Sequence, residues 1–373
     1  MTLPAVPAPR ESELHMPINA TLAGFSNGLL LAAVLLYAAA MLCYAGDFAF
    51  ARHRVMAGLT DAAGTDAAVT EAVVPSLVAA GAGGPAVRVA GGAGDPAAPA
   101  AGATAPPAAG ARERAGRWPS GFWLRLAFGL TCVGVTAHLL AILTRGLAEH
   151  RTPWGNMYEF IAAFTCMAVL VLVAASVWQG AYYLGLFVLV PVVFGLGIDL
   201  TVLYTPAGSL VPALQSYWIA IHVTAMLVAI GLFIFGAVVT TLYLLADRSE
   251  RRVAAGRPSW SAGILRHLPG PIVLDRLSYR SILFAFPVWT FGVMAGAIWA
   301  DHAWGRYWGW DPKETWSFIT WVVYAMFLHA RATAGWRGRR AGYIQLIGFA
   351  CLLFNVIGVN LWISGLHSYA GMG

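Results

Sequence analysis

Eight stretches of the chain stay apolar over about the 20 residues that carry a helix across a bilayer core. They fall at 24–45, 122–143, 158–178, 182–203, 217–245, 282–300, 316–332 and 342–363. Polar residues and arginines gather between them. The pattern predicts an all-α fold, a polytopic transmembrane bundle of about eight helices. Pro191 and Pro287 fall inside the fourth and sixth stretches. They predict bends that membrane helices tolerate when neighbours satisfy the freed backbone groups.

Charge orients the bundle. Lys313 is the only lysine among 23 basic residues. With the N-terminus outside, the inner loops 46–121, 179–181, 246–281 and 331–341 hold 17 of them. The outer segments hold Arg10, Arg145, Arg151, Arg306 and Lys313. This is the asymmetry of the positive-inside rule, and it predicts both termini outside the cytoplasmic membrane. Arg52, His53 and Arg54 follow the first apolar run rather than precede it, which predicts a retained helix and not a cleaved signal. Only 11% of the chain is charged, against about 25% in soluble domains. The net charge of +6 therefore reads as membrane topology, not as a nucleic-acid footprint. No G-x-x-x-x-G-K-[ST] run is present, so nothing suggests an ATP-driven pump acting alone. Cys43, Cys132, Cys166 and Cys351 all lie in apolar stretches without a C-x-x-C pair, and read as small packing residues.

Three regions follow. Residues 1–56 are an outer segment with the first helix. Residues 57–117, rich in Ala, Gly and Pro, are expected to form a disordered cytoplasmic linker. Residues 118–373 form a seven-helix membrane domain, which carries an outer Trp-rich segment at 299–321.

The segment from Trp304 to Trp316 is the most informative. Asp311, Pro312 and Glu314 read as the N-cap, N1 and N3 of the seventh helix, and Asn156 with Glu159 repeats the pattern before the third. Tryptophans also form the interfacial belts of membrane proteins. A belt needs one or two per helix end, whereas six of 15 tryptophans fall between Trp299 and Trp321. Trp304, Tyr307, Trp308, Trp310 and Trp316 can form a platform for a large planar ligand, of which haem is the natural candidate. Arg306 and Lys313 are outer cations able to meet its carboxylates. Arg306 is the better match, because the guanidinium fork takes a carboxylate with two bonds.

Histidines sort by depth. His222 lies about five residues into the fifth helix, about 7 Å from its outer end. His367 follows the eighth helix. Both reach the Trp-rich level, where two imidazoles can hold haem iron from opposite faces. The alternatives are a hydrogen bond to a neighbouring helix for His222 and an exposed tail position for His367. His329 lies 13 residues beyond Trp316, about 20 Å inward. It belongs to a separate inner site, for which no second histidine stands at matching depth. His138 reads as packing.

The string W-G-x-Y-W-x-W-D-P-K-E-T-W from Trp304 to Trp316 resembles the signature (the WWD motif) of haem-handling proteins of system II cytochrome c biogenesis, the CcsA/ResC type. The resemblance covers most of 120–373. It implies that His222 and His367 are axial ligands of haem b at the Trp-rich segment. It implies that His329, in the sequence Leu328-His329-Ala330-Arg331, belongs to an inner haem site completed by a CcsB/ResB-type membrane partner. The implied function is haem transport and presentation to the C-x-x-C-H motif of apocytochrome c, as a subunit of a holocytochrome c synthase. The residue pattern leaves open a membrane electron-transfer cytochrome b, although such proteins pair histidines at equal depth on facing helices.

Overall fold

The computed structural model describes residues 18–78, 121–208, 214, 216–259, 261–265, 267–333, 335–336 and 338–367. Eight long helices account for most of them. They are α1 (Ala20–Val78), α2 (Phe122–Glu149), α3 (Met157–Gln179), α4 (Gly185–Thr201, after a 3-10 turn at Tyr182–Leu184), α5 (Tyr217–Ala254), α6 (Pro271–Trp304), α7 (Pro312–Ala332) and α8 (Arg339–Trp362). All eight predicted stretches are helical, and the described residues contain no strand. The chain is a multi-pass membrane protein.

Seven of the helices are long and apolar enough to cross a membrane. The predicted eighth, α7, falls short in apolar character. Lys313 and Glu314 sit in its first turn and His329 and Arg331 in its last. Its 21 residues still reach about 30 Å, the thickness of a hydrocarbon core.

The chain divides into two compact units, Met1–Ala45 with Trp118–Gly373, and Gly46–Arg117. In the second unit the described residues are helical, so α1 runs to Val78, beyond the predicted end at 45. Residues 51–78 are rich in alanine, the strongest helix former. The rest of the expected linker, 79–117, lies outside the described residues.

In the larger unit α5 is the central helix. It is the most buried of the spans, and it packs against α3, α6 and α8. Its core contacts are aromatic: Phe233 stacks on Tyr324 of α7 at 4.0 Å and meets Trp289 of α6 edge-on at 5.9 Å. α1 fits onto α2 and α4 through tyrosines over glycines, Tyr37 against Gly134 and Tyr44 against Gly185. Small residues of this kind let membrane helices approach closely.

Three helices carry an interruption. α4 and α6 contain Pro191 and Pro287. α8 changes to a π-turn at Phe354–Gly358 before resuming as Val359–Trp362. Such turns insert an extra residue into the helix and recur at functional sites.

Candidate functional site

A cavity of about 1080 Å³, counting its open mouth, lies where α3, α5 and α7 begin and α6 and α8 end. Three helix starts and two helix ends meet at one level because an even number of crossings separates any two of them, as the alternating topology predicts. Its walls are apolar over most of their area, from Ile219, Val223 and Met226 of α5 and Trp289 and Val293 of α6.

His222 reaches the cavity from the second turn of α5. Its Nδ1 lies 2.7 Å from the Gly292 carbonyl of α6. A carbonyl only accepts, so Nδ1 carries the proton and Nε2 of the neutral ring carries the lone pair. The ring lies parallel to Trp299, with centroids 6.1 Å and planes 6° apart. Gly296 makes this seat possible, since a Cβ there would lie 2.7 Å from the imidazole.

His367 reaches the same cavity from the segment after α8. Its ring meets Trp299 at 5.7 Å and Trp304 at 5.0 Å, both edge-on. Its Nδ1 donates to Asp311 Oδ2 at 2.8 Å, which leaves the Nε2 lone pair as the metal-binding function of the neutral ring. A carboxylate behind a histidine in this way fixes the tautomer and raises the basicity of the ligating nitrogen.

Asp311 has two tasks. It caps α7, accepting from Lys313 N, while Glu314 Oε2 returns to accept from Asp311 N at 3.1 Å and Gly309 N at 2.8 Å. This is the capping box expected from the D-P-x-E string. The same aspartate also accepts from Leu366 N–H at 2.8 Å and from His367. Burial raises the Asp311 carboxyl, but the hydrogen bonds from His367 and Leu366 outweigh it and hold the group below its ordinary value of 3.8. The asparagine pair has a different outcome at α3. Asn156 caps the helix, accepting from Glu159 N at 2.9 Å, but the Glu159 carboxylate turns instead to Arg151 (2.8 Å) and Arg145 (3.2 Å). Glu149 joins both arginines at 2.8 and 2.9 Å. Arg145 and Arg151, counted among the basic residues of the outer segments, are thus buried or nearly so in a four-residue ion-pair network. Gly155 N–H also donates to Glu159 at 2.8 Å. The network therefore fixes the loop whose Trp154, Gly155 and Asn156 form one wall of the cavity.

One side of the cavity is polar. Lys313 Nζ donates to Asn360 Oδ1 at 2.9 Å. Asn355, presented by the π-turn, and Glu314 each bury one oxygen without a hydrogen-bond partner. All four residues line the cavity. Buried acceptors left unpaired cost free energy, and a ligand carrying hydrogen-bond donors would satisfy them.

The remaining predicted residues divide. Trp304, Tyr307 and Trp308 line the cavity with the two histidines. Arg306, Trp310, Trp316 and His329 do not. The Arg306 guanidinium folds back over Gly309. Trp310 takes a left-handed φ of 57° and is exposed, against Trp308 and Phe318. Trp316 packs on Phe354 of α8 at 4.3 Å. His329 is exposed near the opposite end of α7. Sequence reasoning missed Trp289, Gly296 and Asn360, and placed Trp299 in the segment without a role. The signal was available for α6: positions 289, 293, 296, 297, 300 and 304 form one helical stripe.

Residues 131–367 match the family model described as cytochrome C assembly protein. The chain belongs to this family. Among its relatives are the cytochrome c biogenesis proteins CcsA of Gloeobacter violaceus, 34% identical over 66% of this chain and 90% of that protein, and of Guillardia theta, 34% identical over 64% and 83%. The CcsA protein of Chlamydomonas reinhardtii is 43% identical over a shorter region, 44% of this chain and 43% of its own. A solved cytochrome c haem lyase, CcmF, aligns with 63% of this chain and 41% of its own, with 21% identity and a TM-score of 0.47. The chain is of the CcsA type, and its role lies in cytochrome c maturation.

Proposed function

We propose that the cavity holds haem b as substrate, with His222 and His367 as the two axial ligands, and presents it for attachment to apocytochrome c. The observation that carries this reading is the shared seat of the two histidines. They come from different helices, each gives up Nδ1 to a fixed acceptor, and both rings rest against Trp299 on the wall of one cavity. The residues suit the ligand. Two neutral imidazoles suit the iron, tryptophans and aliphatic side chains suit the macrocycle, and the Lys313 ammonium on the polar side suits a carboxylate.

In this reading the cavity opens on the extracytoplasmic face, supported by the arginine asymmetry of the loops. The cysteine thiols of a C-x-x-C-H motif add across the haem vinyl groups, and the motif's histidine replaces one of the two imidazoles. The protein binds, orients and shields the macrocycle; the bond-forming chemistry belongs to haem and thiols. All four cysteines of this chain lie within helices, so the thiols come from the apocytochrome. His329, far from the cavity and exposed on α7, is suited to an inner haem site shared with a CcsB/ResB-type partner in a system II synthase. Haem would reach the outer cavity from there.

Absorption spectra of the purified chain, co-expressed with its partner, test the proposal. Wild type is expected to carry six-coordinate haem, and His222→Gly and His367→Gly to lose it and regain it with added imidazole. Retention of the wild-type spectrum in both variants would overturn the assignment.

A further inference from the structure

A second concavity lies where α5 ends and α8 begins, at the opposite end of both helices from the cavity. Arg248, Arg251, Arg252 and Arg257 line it from α5 and the segment that follows, and Arg339 from α8. Leu244, Leu245 and Tyr343 complete it. Its volume is about 950 Å³, open to the exterior.

Three observations distinguish it from ordinary positive-inside charge. First, the arginines converge from two helices rather than scatter. Asp247 joins Arg251 and Arg339 across the groove, the latter at 3.8 Å, and Arg252 Nε is anchored on the Pro258 carbonyl at 3.0 Å. Second, Asp247 is the one carboxylate paired with these arginines among the described residues, and the guanidinium groups of Arg248 and Arg257 make no ion pair or hydrogen bond to any described residue. The groove keeps a positive surplus. Third, its depth fits an interface. Leu244 lies 27 residues beyond Tyr217, about 40 Å along α5. A bilayer's hydrocarbon core is about 30 Å thick, and about 40–45 Å with the headgroups. Leu244 and Leu245 thus stand at headgroup depth, where the apolar face of α5 leaves the hydrocarbon, and the arginines lie at that level and just beyond it.

We infer that this groove binds the phosphate of an anionic phospholipid headgroup, with the acyl chains running along Leu244, Leu245 and Tyr343. Guanidinium forks take phosphate oxygens in pairs, and basic pockets between helices on the cytoplasmic side are suited to lipid headgroups. Nothing in the haem reading requires this site.

The test is native mass spectrometry of the full chain, released from detergent supplemented with phosphatidylglycerol, phosphatidylcholine or inorganic phosphate. Wild type is expected to retain phosphatidylglycerol over phosphatidylcholine. The double variant Arg248→Gln with Arg257→Gln, which breaks no ion pair or side-chain hydrogen bond among the described residues, is expected to bind phosphatidylglycerol about tenfold more weakly. The control, Arg276→Gln with Arg280→Gln, removes equal charge from exposed positions near the start of α6, outside the groove, and is expected to bind as wild type does. Equal losses in both doubles would reduce the effect to general surface charge and overturn the inference. So would undiminished lipid binding by the groove variant, or inorganic phosphate binding as tightly as phosphatidylglycerol. Thermal unfolding in phosphatidylcholine micelles checks that both doubles are folded.

Discussion

His367 donates its Nδ1 proton to Asp311 Oδ2 over 2.8 Å, across the 55 intervening residues of α7 and α8. The helix cap and the ligand support are therefore one carboxylate. Asp311→Asn keeps the size and some capping capacity but loses the charge behind the imidazole. We expect haem affinity to fall about 10–100-fold, the usual cost of losing such a partner. Haem titration followed by absorption spectroscopy measures it. Unchanged affinity would mean that the aspartate serves only as a cap.

The same carboxyl gives a pH dependence of known sign. Its folded-state value is depressed below 3.8, so its stabilisation is complete above 3.8 and lost as pH falls through the lower folded value. The difference in thermal midpoint between wild type and Asp311→Asn should stay constant from neutral pH to about 5 and shrink in stronger acid. A difference that vanishes near pH 6 would point to another titrating group.

Gly296 gives a steric test of the His222 seat. A methyl group at this position meets the imidazole at 2.7 Å, so Gly296→Ala should displace the ring and weaken six-coordinate haem. Gly129 of α2 has nothing within 4 Å of its added Cβ, and Gly129→Ala should leave the spectrum as it is. Identical spectra for the two variants would show that His222 does not ligate from this seat.

Glu159 carries the loop wall. Glu159→Ala leaves Arg145 and Arg151 with Glu149 as their remaining carboxylate. Breaking a buried pair costs about 3–5 kcal/mol. We expect a lower unfolding midpoint together with weaker haem retention, because Trp154 and Gly155 lose their anchor. A midpoint shift without any effect on haem would separate the network from the site.

Hydropathy alone revealed the helices, because membrane depth is written in composition. The level of the site was equally legible: His222, His367 and the Trp-rich segment share one end of the bundle. What one-dimensional reading lacked was rotation about each helix axis. Trp316 and Trp310 carry the same residue type as Trp304 and Trp308, yet one packs on Phe354 and the other faces outward. Arg145 and Arg151 count in the sequence only as outer basic residues, because their shared partners, Glu149 and Glu159, are drawn together by folding. Lys313 reads in the sequence as an outer cation, and the fold gives it Asn360. The extent of α1 beyond 45 was hidden by scattered glycine and proline in a segment otherwise suited to helix.

The π-turn in α8 sets a phase. An α-helix advances about 100° per residue, so one residue wound in at Phe354–Gly358 rotates everything after it by that amount relative to an uninterrupted helix. Asn360, and after it the chain leading to His367, take their azimuth from this single insertion. A one-residue deletion within the turn would leave the length of the span almost unchanged, yet swing Asn360 away from Lys313 and turn the His367 segment off Asp311. The chain thus carries, in five residues of its last helix, a clockwork offset on which the meetings of Asn360 with Lys313 and of His367 with Asp311 depend.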